Sequence, residues 1–252
     1  MSRIICIASG KGGVGKTTLV SNLSAALAGF KKSVIAVDAN LTTPNLGIQL
    51  GIPVYPFALQ DVLTGKVNVK DAPYYHEGGF RVIPADISLQ KLMIPESQGL
   101  LNVLYKFVGK CDFMLVDTAA GIGKEACEVI KAVDELILVT NPEISSVVDA
   151  LKVMQIAEKY GTKPLGIVVN RVCGGTHEMS ISEIEDFFGL HILGIVHEST
   201  KIRKYVAEKR PVVIAEPHSL PAKQFKQIAA NLLGIEYSIK RGFFERLFGW
   251  WK

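Results

Sequence analysis

Two lysines bracket a run of glycines near the start of the chain, GKGGVGKTT, from Gly10 to Thr18. Gly10, Gly15, Lys16 and Thr17 fit the spacing G-x-x-x-x-G-K-[ST], a loop whose backbone N–H groups cradle phosphates. Each residue type answers a chemical need. Gly12, Gly13 and Gly15 let the backbone wrap an anion, Val14 contributes to the same ring of amides, and a helix starting near Lys16 adds the positive end of its dipole. Lys16 is placed to neutralise the β and γ phosphates of a nucleotide, and Thr17 to hold Mg²⁺ through its hydroxyl, with Thr18 completing the run.

Carboxylates occur where such a loop needs them. FMLVDTAAG puts Asp117 at the end of an apolar strand, the ligand-bearing edge of a doubly wound sheet, where it is expected to hold Mg²⁺ through water. VIAVDANLTTPNLG follows another strand and carries Asp38, Asn40 and Asn45.

The elements that must position these groups alternate along the chain. Apolar, β-branched runs at 3–9, 33–38, 80–85, 113–118, 135–140, 165–170, 192–197 and 211–215 read as strands buried on both faces. Helical patterns lie between them near 16–29, 97–109, 123–132, 143–160, 180–188, 199–208 and 219–233. The expectation is an α/β fold: a single doubly wound, mostly parallel sheet flanked by helices, over residues 1–237. With 252 residues, 48% of them hydrophobic, a core of that size is within reach. No apolar run approaches the roughly 18–20 residues of a membrane span. The N-terminal apolar stretch is too short for a secretory signal. Cys6, Cys111, Cys127 and Cys173 are scattered without metal-ligand spacing, which is read as a reducing cytoplasm and no zinc or iron–sulfur site.

The formal charge of +4 is concentrated at the C-terminus, where Lys240, Arg241, Arg246 and Lys252 face a single acid, Glu245. A near-neutral body argues against a nucleic-acid partner. Residues 238–252, SIKRGFFERLFGWWK, are also aromatic. At about 100° per residue, Ile239, Phe243, Phe244, Leu247, Phe248, Trp250 and Trp251 share one half of a helical wheel, and Arg241, Glu245, Arg246 and Lys252 the other. Lys240 sits on the apolar side, where its stem can snorkel. This is the pattern of a helix lying in the interface of an anionic membrane. A core helix, a partner-binding helix and a disordered end are the competing readings.

KGGVGK, with Lys11 as well as Lys16, resembles the deviant Walker A motif of the MinD/ParA family of ATPases, and the resemblance extends over the whole chain. It implies a P-loop NTPase that binds ATP with Mg²⁺ and dimerises on ATP, Lys11 reaching the phosphate of the partner's nucleotide. Asp38 and Asn40 then fall in switch I, where members typically read D-x-D. Asn40 replaces the second acid, which implies slow hydrolysis. Asn45 matches a position that senses the γ-phosphate or the partner. TNPEISSVVDA (140–150) resembles the start of the family's partner-binding helix, with Glu143 at its positive end and Asp149 as a contact. Asn170 and Arg171 fall where relatives hold adenine, and His197 stands where a proline usually packs on the base. KRGFFERLFG resembles the membrane-targeting sequence of MinD-type members. Together these imply a peripheral membrane ATPase that recruits protein effectors, among them one that stimulates hydrolysis, to regulate cell division in space. Two alternatives stand beside it: a slow or hydrolysis-deficient scaffold that positions another surface machine, and a ParA-type partitioning ATPase that binds nucleic acid.

Overall fold

The apolar strand runs become a buried sheet because their alternate side chains enter two different core layers. The computed structural model describes residues 2–52, 55–88 and 99–237. Its strands are β1 (Arg3–Ala8), β2 (Val34–Asp38), β3 (Tyr74–Tyr75), β4 (Arg81–Ile83), β5 (Phe113–Asp117), β6 (Glu135–Thr140), β7 (Lys163–Val172) and β8 (Ile192–His197). The helices are α1 (Lys16–Gly29), α2 (Leu46–Gln49), α3 (Leu59–Leu63), α4 (Leu100–Tyr105), α5 (Lys124–Lys131), α6 (Ile144–Lys159), α7 (Ile181–Phe188), α8 (Thr200–Ala207), α9 (Val212–Ala215) and α10 (Leu220–Leu233).

On β1, Ile4, Cys6 and Ala8 join Met114, Val116, Leu136 and Leu138 in the layer covered by α4 to α7. Ile5 and Ile7 join Phe113, Leu115, Ile137 and Val139 in the layer covered by α1 and α10. Burial on both faces is why the strands read as continuous apolar runs rather than alternating ones.

The strand order is β3-β4-β2-β5-β1-β6-β7-β8. All pairings are parallel except β3 with β4, an antiparallel edge pair the sequence reading did not find. The chain leaves β1 toward β2 on one side and later crosses to β6 on the other. That reversal opens a crevice at the carboxyl ends of the strands. Register brings the acids to the same rim: Asp38 pairs with Asp117 across β2 and β5, and Ile7 pairs with Asp117 across β1 and β5.

One predicted strand is a helix. PVVIA (211–215) forms α9, with the N–H groups of Ile214 and Ala215 both donating to the Pro211 carbonyl (3.0 Å each). Val212 and Val213 are buried beside α1, whose Asn22 side chain accepts the Val213 N–H at 3.2 Å. A five-residue apolar run has no periodicity to separate strand from buried helix, and here tertiary packing decided. The remaining strands and helices that the sequence predicts are present, with shifted ends. Residues 238–252 lie outside the described residues.

Candidate functional site

The loop between β1 and α1 takes its shape from glycines that no other residue replaces without strain. Gly13 (φ 78°) and Gly15 (φ 103°) are left-handed. A Cβ at Gly15 would lie 2.2 Å from Nδ2 of Asn170, and one at Gly10 only 2.2 Å from the carbonyl carbon of Asp149. The loop is therefore pressed between the end of β7 and the first turns of α6.

Lys16, on the first turn of α1, turns back under the loop and donates from Nζ to Ser9 Oγ at 2.9 Å. Ser9 Oγ in turn donates to the Lys11 carbonyl at 2.7 Å. Burial holds the Lys16 ammonium below the usual lysine range, opposed by the charge of Asp117. Thr17 Oγ1 donates to Asp117 Oδ2 at 2.6 Å. Asp117 is 1% exposed, and its Oδ1 is buried with no hydrogen-bond partner among the described residues. Burial pushes its carboxyl up to about 6, against the pull of the Thr17 hydroxyl and Lys16. A buried carboxylate oxygen with nothing to accept is rare in native proteins and asks for a cation. With the Thr17 hydroxyl beside it, the donor set is all oxygen, which suits a hard ion such as Mg²⁺.

Asp38 does different work. Its Oδ2 accepts the N–H groups of Asn45 (3.0 Å) and Leu46 (2.9 Å), and its Oδ1 that of Asn40 (3.2 Å). Both oxygens are thus used in folding the segment that follows β2. Burial first, and the Asp117 charge second, push its carboxyl well above the usual range.

Asn40 closes a tight turn on Thr43. Its Nδ2 donates to the Thr43 carbonyl (2.8 Å), while its Oδ1 accepts from the Thr43 N–H (3.2 Å) and hydroxyl (3.1 Å). The exposed Asn45 also donates to the Thr43 carbonyl, at 2.9 Å.

Lys11 lies on the outer side of the loop, and its Nζ donates to Ser145 Oγ on α6 at 2.6 Å. Ile144 (69% exposed) and Val148 on α6, and Ile122 before α5, are exposed apolar side chains. Glu143 is the residue before α6 and makes no side-chain cap. Asp149 pairs with Lys152 at 3.0 Å.

Two neighbouring cavities lie along the loop. One of about 610 Å³ is lined by Gly12, Lys16, Thr17, Asn40, Asn45 and Lys209 among others. A narrower one of about 190 Å³ is lined by Gly15, Thr18, Asn170, Arg171, Glu198 and Arg203 among others. Gly15, Thr18 and Arg171 border both. Asn170 donates from Nδ2 to the Val14 carbonyl at 2.6 Å, so that its amide braces the loop. Glu198 lies 3.9 Å from Arg171 and 3.4 Å from Arg203. His197 also borders the narrower cavity and pairs through Nδ1 with Gln224.

The structure brings the residues Gly10 to Thr18, Asp38, Asn40, Asp117, Asn170 and Arg171 to one rim. Lys240, Arg241, Phe243, Phe244, Arg246, Leu247, Phe248, Trp250 and Trp251 lie outside the described residues. Sequence reasoning missed Ser9, Thr43, Ser145 and the Glu198–Arg203 pair. Ser9 is adjacent to the motif and could have been found; the others carry no signal of their own in a single sequence.

Residues 1–233 match the family model described as ParA, NUBPL iron-transfer P-loop NTPase. The chain is 42% identical over 237 residues to an uncharacterised ATP-binding protein of Methanocaldococcus jannaschii, covering 94% of this chain and 90% of that one. The septum site-determining protein MinD of Pyrococcus horikoshii, solved with Mg-ADP, superposes with a TM-score of 0.89 at 35% identity, covering 92% and 96% of the two chains. The MinC:MinD cell division complex of Aquifex aeolicus contains a chain with a TM-score of 0.83 at 30% identity, covering 95% and 99%.

Proposed function

The chain belongs to the MinD/ParA family of P-loop NTPases, and from that membership we propose that it is an ATPase whose nucleotide state governs its attachment to a membrane. The observation that carries the nucleotide part of the reading is the hydrogen bond from Thr17 Oγ1 to the buried Asp117, whose Oδ1 has no partner among the described residues.

In this reading the phosphates of ATP lie in the larger cavity and the base in the narrower one. The amides from Gly10 to Thr18 hold the phosphate oxygens, and Lys16 leaves Ser9 to neutralise the β and γ phosphates. Thr17 and Asp117 would hold Mg²⁺, which would offset the charge that develops on the phosphate oxygens. Asn170 and Arg171 border the base. Asp38 shapes the segment that presents Asn40 and Asn45 to the γ-phosphate.

ATP then joins two copies. Among the described residues, Lys11 is held by one hydroxyl, Ser145 Oγ, and by no carboxylate. A phosphate from a second copy is a stronger partner for an ammonium than a neutral hydroxyl. The exposed Ile122, Ile144 and Val148 supply apolar surface for that contact or for a protein effector. Each copy contributes one amphipathic segment, 238–252, which alone binds a membrane weakly. Two linked segments gain about 10²–10⁴ in avidity, so dimerisation on ATP acts as the membrane switch. The effectors recruited there would regulate the placement of cell division, the process that the septum site-determining MinD of Pyrococcus horikoshii and the MinC:MinD cell division complex are named for.

A second reading, a scaffold that binds ATP and hardly turns it over, is favoured by the engagement of Asn40 with Thr43. Light scattering after size exclusion tests the first. A dimer in Mg-ATP and a monomer in Mg-ADP are expected, with Lys11→Ala monomeric in both. A monomer in ATP at high protein concentration refutes the dimer switch.

A further inference from the structure

The segment after Asp38 is pinned at two places. Asp38 holds Asn40, Asn45 and Leu46 from within the sheet. The tip between them, Leu41 and Thr42, is held from outside by Glu125 on the first turn of α5. Glu125 Oε1 accepts the Leu41 N–H and the Thr42 N–H (3.1 Å), and Oε2 accepts the Thr42 hydroxyl at 2.7 Å. An acid on the first turn of a helix ordinarily only complements the dipole. Here a half-buried carboxylate spends three contacts on a loop more than eighty residues away.

The position of α5 gives those contacts a meaning. The chain reaches it directly from Asp117, through residues whose own backbone is tied to the phosphate loop: the Gly121 N–H donates to the Ser9 carbonyl at 2.8 Å. Glu125 therefore joins the segment after Asp117 to the segment after Asp38. Between its two anchors, the second segment carries Asn40, Thr43 and Asn45, which all line the larger cavity.

We propose that Glu125 is a positioning residue that holds the Leu41–Thr42 tip so that Asn40 and Asn45 stand at the end of the cavity where the γ-phosphate lies. It touches no substrate. It acts through the loop, and it matters for ATP and not for ADP, because the β-phosphate is held by the glycine loop and Lys16. The proposal rests on the ATP reading given above.

The test uses the full chain with Glu125→Ala, Glu125→Gln and Thr42→Val. Gln keeps an oxygen for both amides and offers its NH₂ to the Thr42 oxygen, so it retains all three contacts without the charge. The probes are ADP and a non-hydrolysable ATP analogue, each with Mg²⁺, titrated calorimetrically. Amide exchange of the 40–46 segment is followed in parallel in the nucleotide-free protein. Glu125→Ala should weaken the analogue about tenfold, while ADP affinity moves by less than about twofold. Exchange in the segment should accelerate in Glu125→Ala, remain near wild type in Glu125→Gln and fall between them in Thr42→Val. Equal losses for ADP and the analogue, or unaltered exchange in Glu125→Ala, would overturn the proposal. Should the wild-type chain bind neither nucleotide, the ATP reading fails by itself, and exchange in the exposed-site variant Thr42→Val still decides whether the tip is held as described.

Discussion

Replacing Asp117 by Asn should make the metal-free protein more stable at neutral pH, although most substitutions of buried residues destabilise. Asp117 is buried on the sheet rim, and its carboxyl is pushed up to about 6 against an unfolded value of 3.8. A carboxyl raised on folding favours the fold fully below the unfolded value and loses that favour as pH rises toward the folded one. At pH 7.5 the ionised group therefore costs the fold about 3 kcal/mol, and at pH 4.5 only about 1 kcal/mol. Asn removes this cost. Its oxygen still accepts the Thr17 hydroxyl, but its NH₂ replaces an oxygen that already lacks a partner, a penalty of about 1 kcal/mol at any pH. The net expectation is a gain of about 2 kcal/mol at pH 7.5, or about 4–8 °C in Tm, that vanishes near pH 4.5. Melting curves of both proteins across that range, with and without Mg-ADP, measure it. Mg-ADP should raise the Tm of the wild type by much more than that of Asp117→Asn. A variant less stable than wild type at pH 7.5, or a difference independent of pH, would refute the argument that this carboxylate waits for a cation.

Three further outcomes follow from the same geometry. Because protons compete for Asp117, affinity for Mg-nucleotide should fall about tenfold for each pH unit below about 6, and titration at pH 5 and 7.5 reads it. Gly10→Ala should leave the fold intact but weaken nucleotide binding about tenfold or more, since its Cβ meets backbone atoms of Asp149 at 2.2 and 2.4 Å that cannot swing aside; unchanged affinity would contradict the tight seat of the loop on α6. Asn40→Asp loses the donor that closes the turn on the Thr43 carbonyl and gains a group able to accept a proton. Single-turnover hydrolysis should therefore accelerate about tenfold, or ~1.4 kcal/mol of barrier, and a slower rate would show that the amide is the better group there.

The sheet and the phosphate loop were legible because they rest on local rules. Runs such as FMLVD are apolar throughout when both faces are covered, and GKGGVGKTT has one known mechanical use. Asp117 could be found from its place at a strand end. The departures occur where tertiary contacts choose between local options. PVVIA is compatible with strand or helix until α1 packs against Val212 and Val213. The β3–β4 edge pair is only two residues long on the β3 side and leaves no pattern. Asp38 is placed after a strand by the sequence, but its contacts with three backbone N–H groups depend on how residues 40–46 fold back. Glu125 and Ser145 become visible only when distant segments meet.

The measurement closest to the central claim is sedimentation with vesicles of anionic lipid, in Mg-ATP and in Mg-ADP, for the full chain and for a chain ending at Tyr237. A nucleotide-governed membrane switch predicts pelleting of the full chain in ATP alone and none of the shortened chain. Equal pelleting of the full chain in both nucleotides, or in neither, would contradict it.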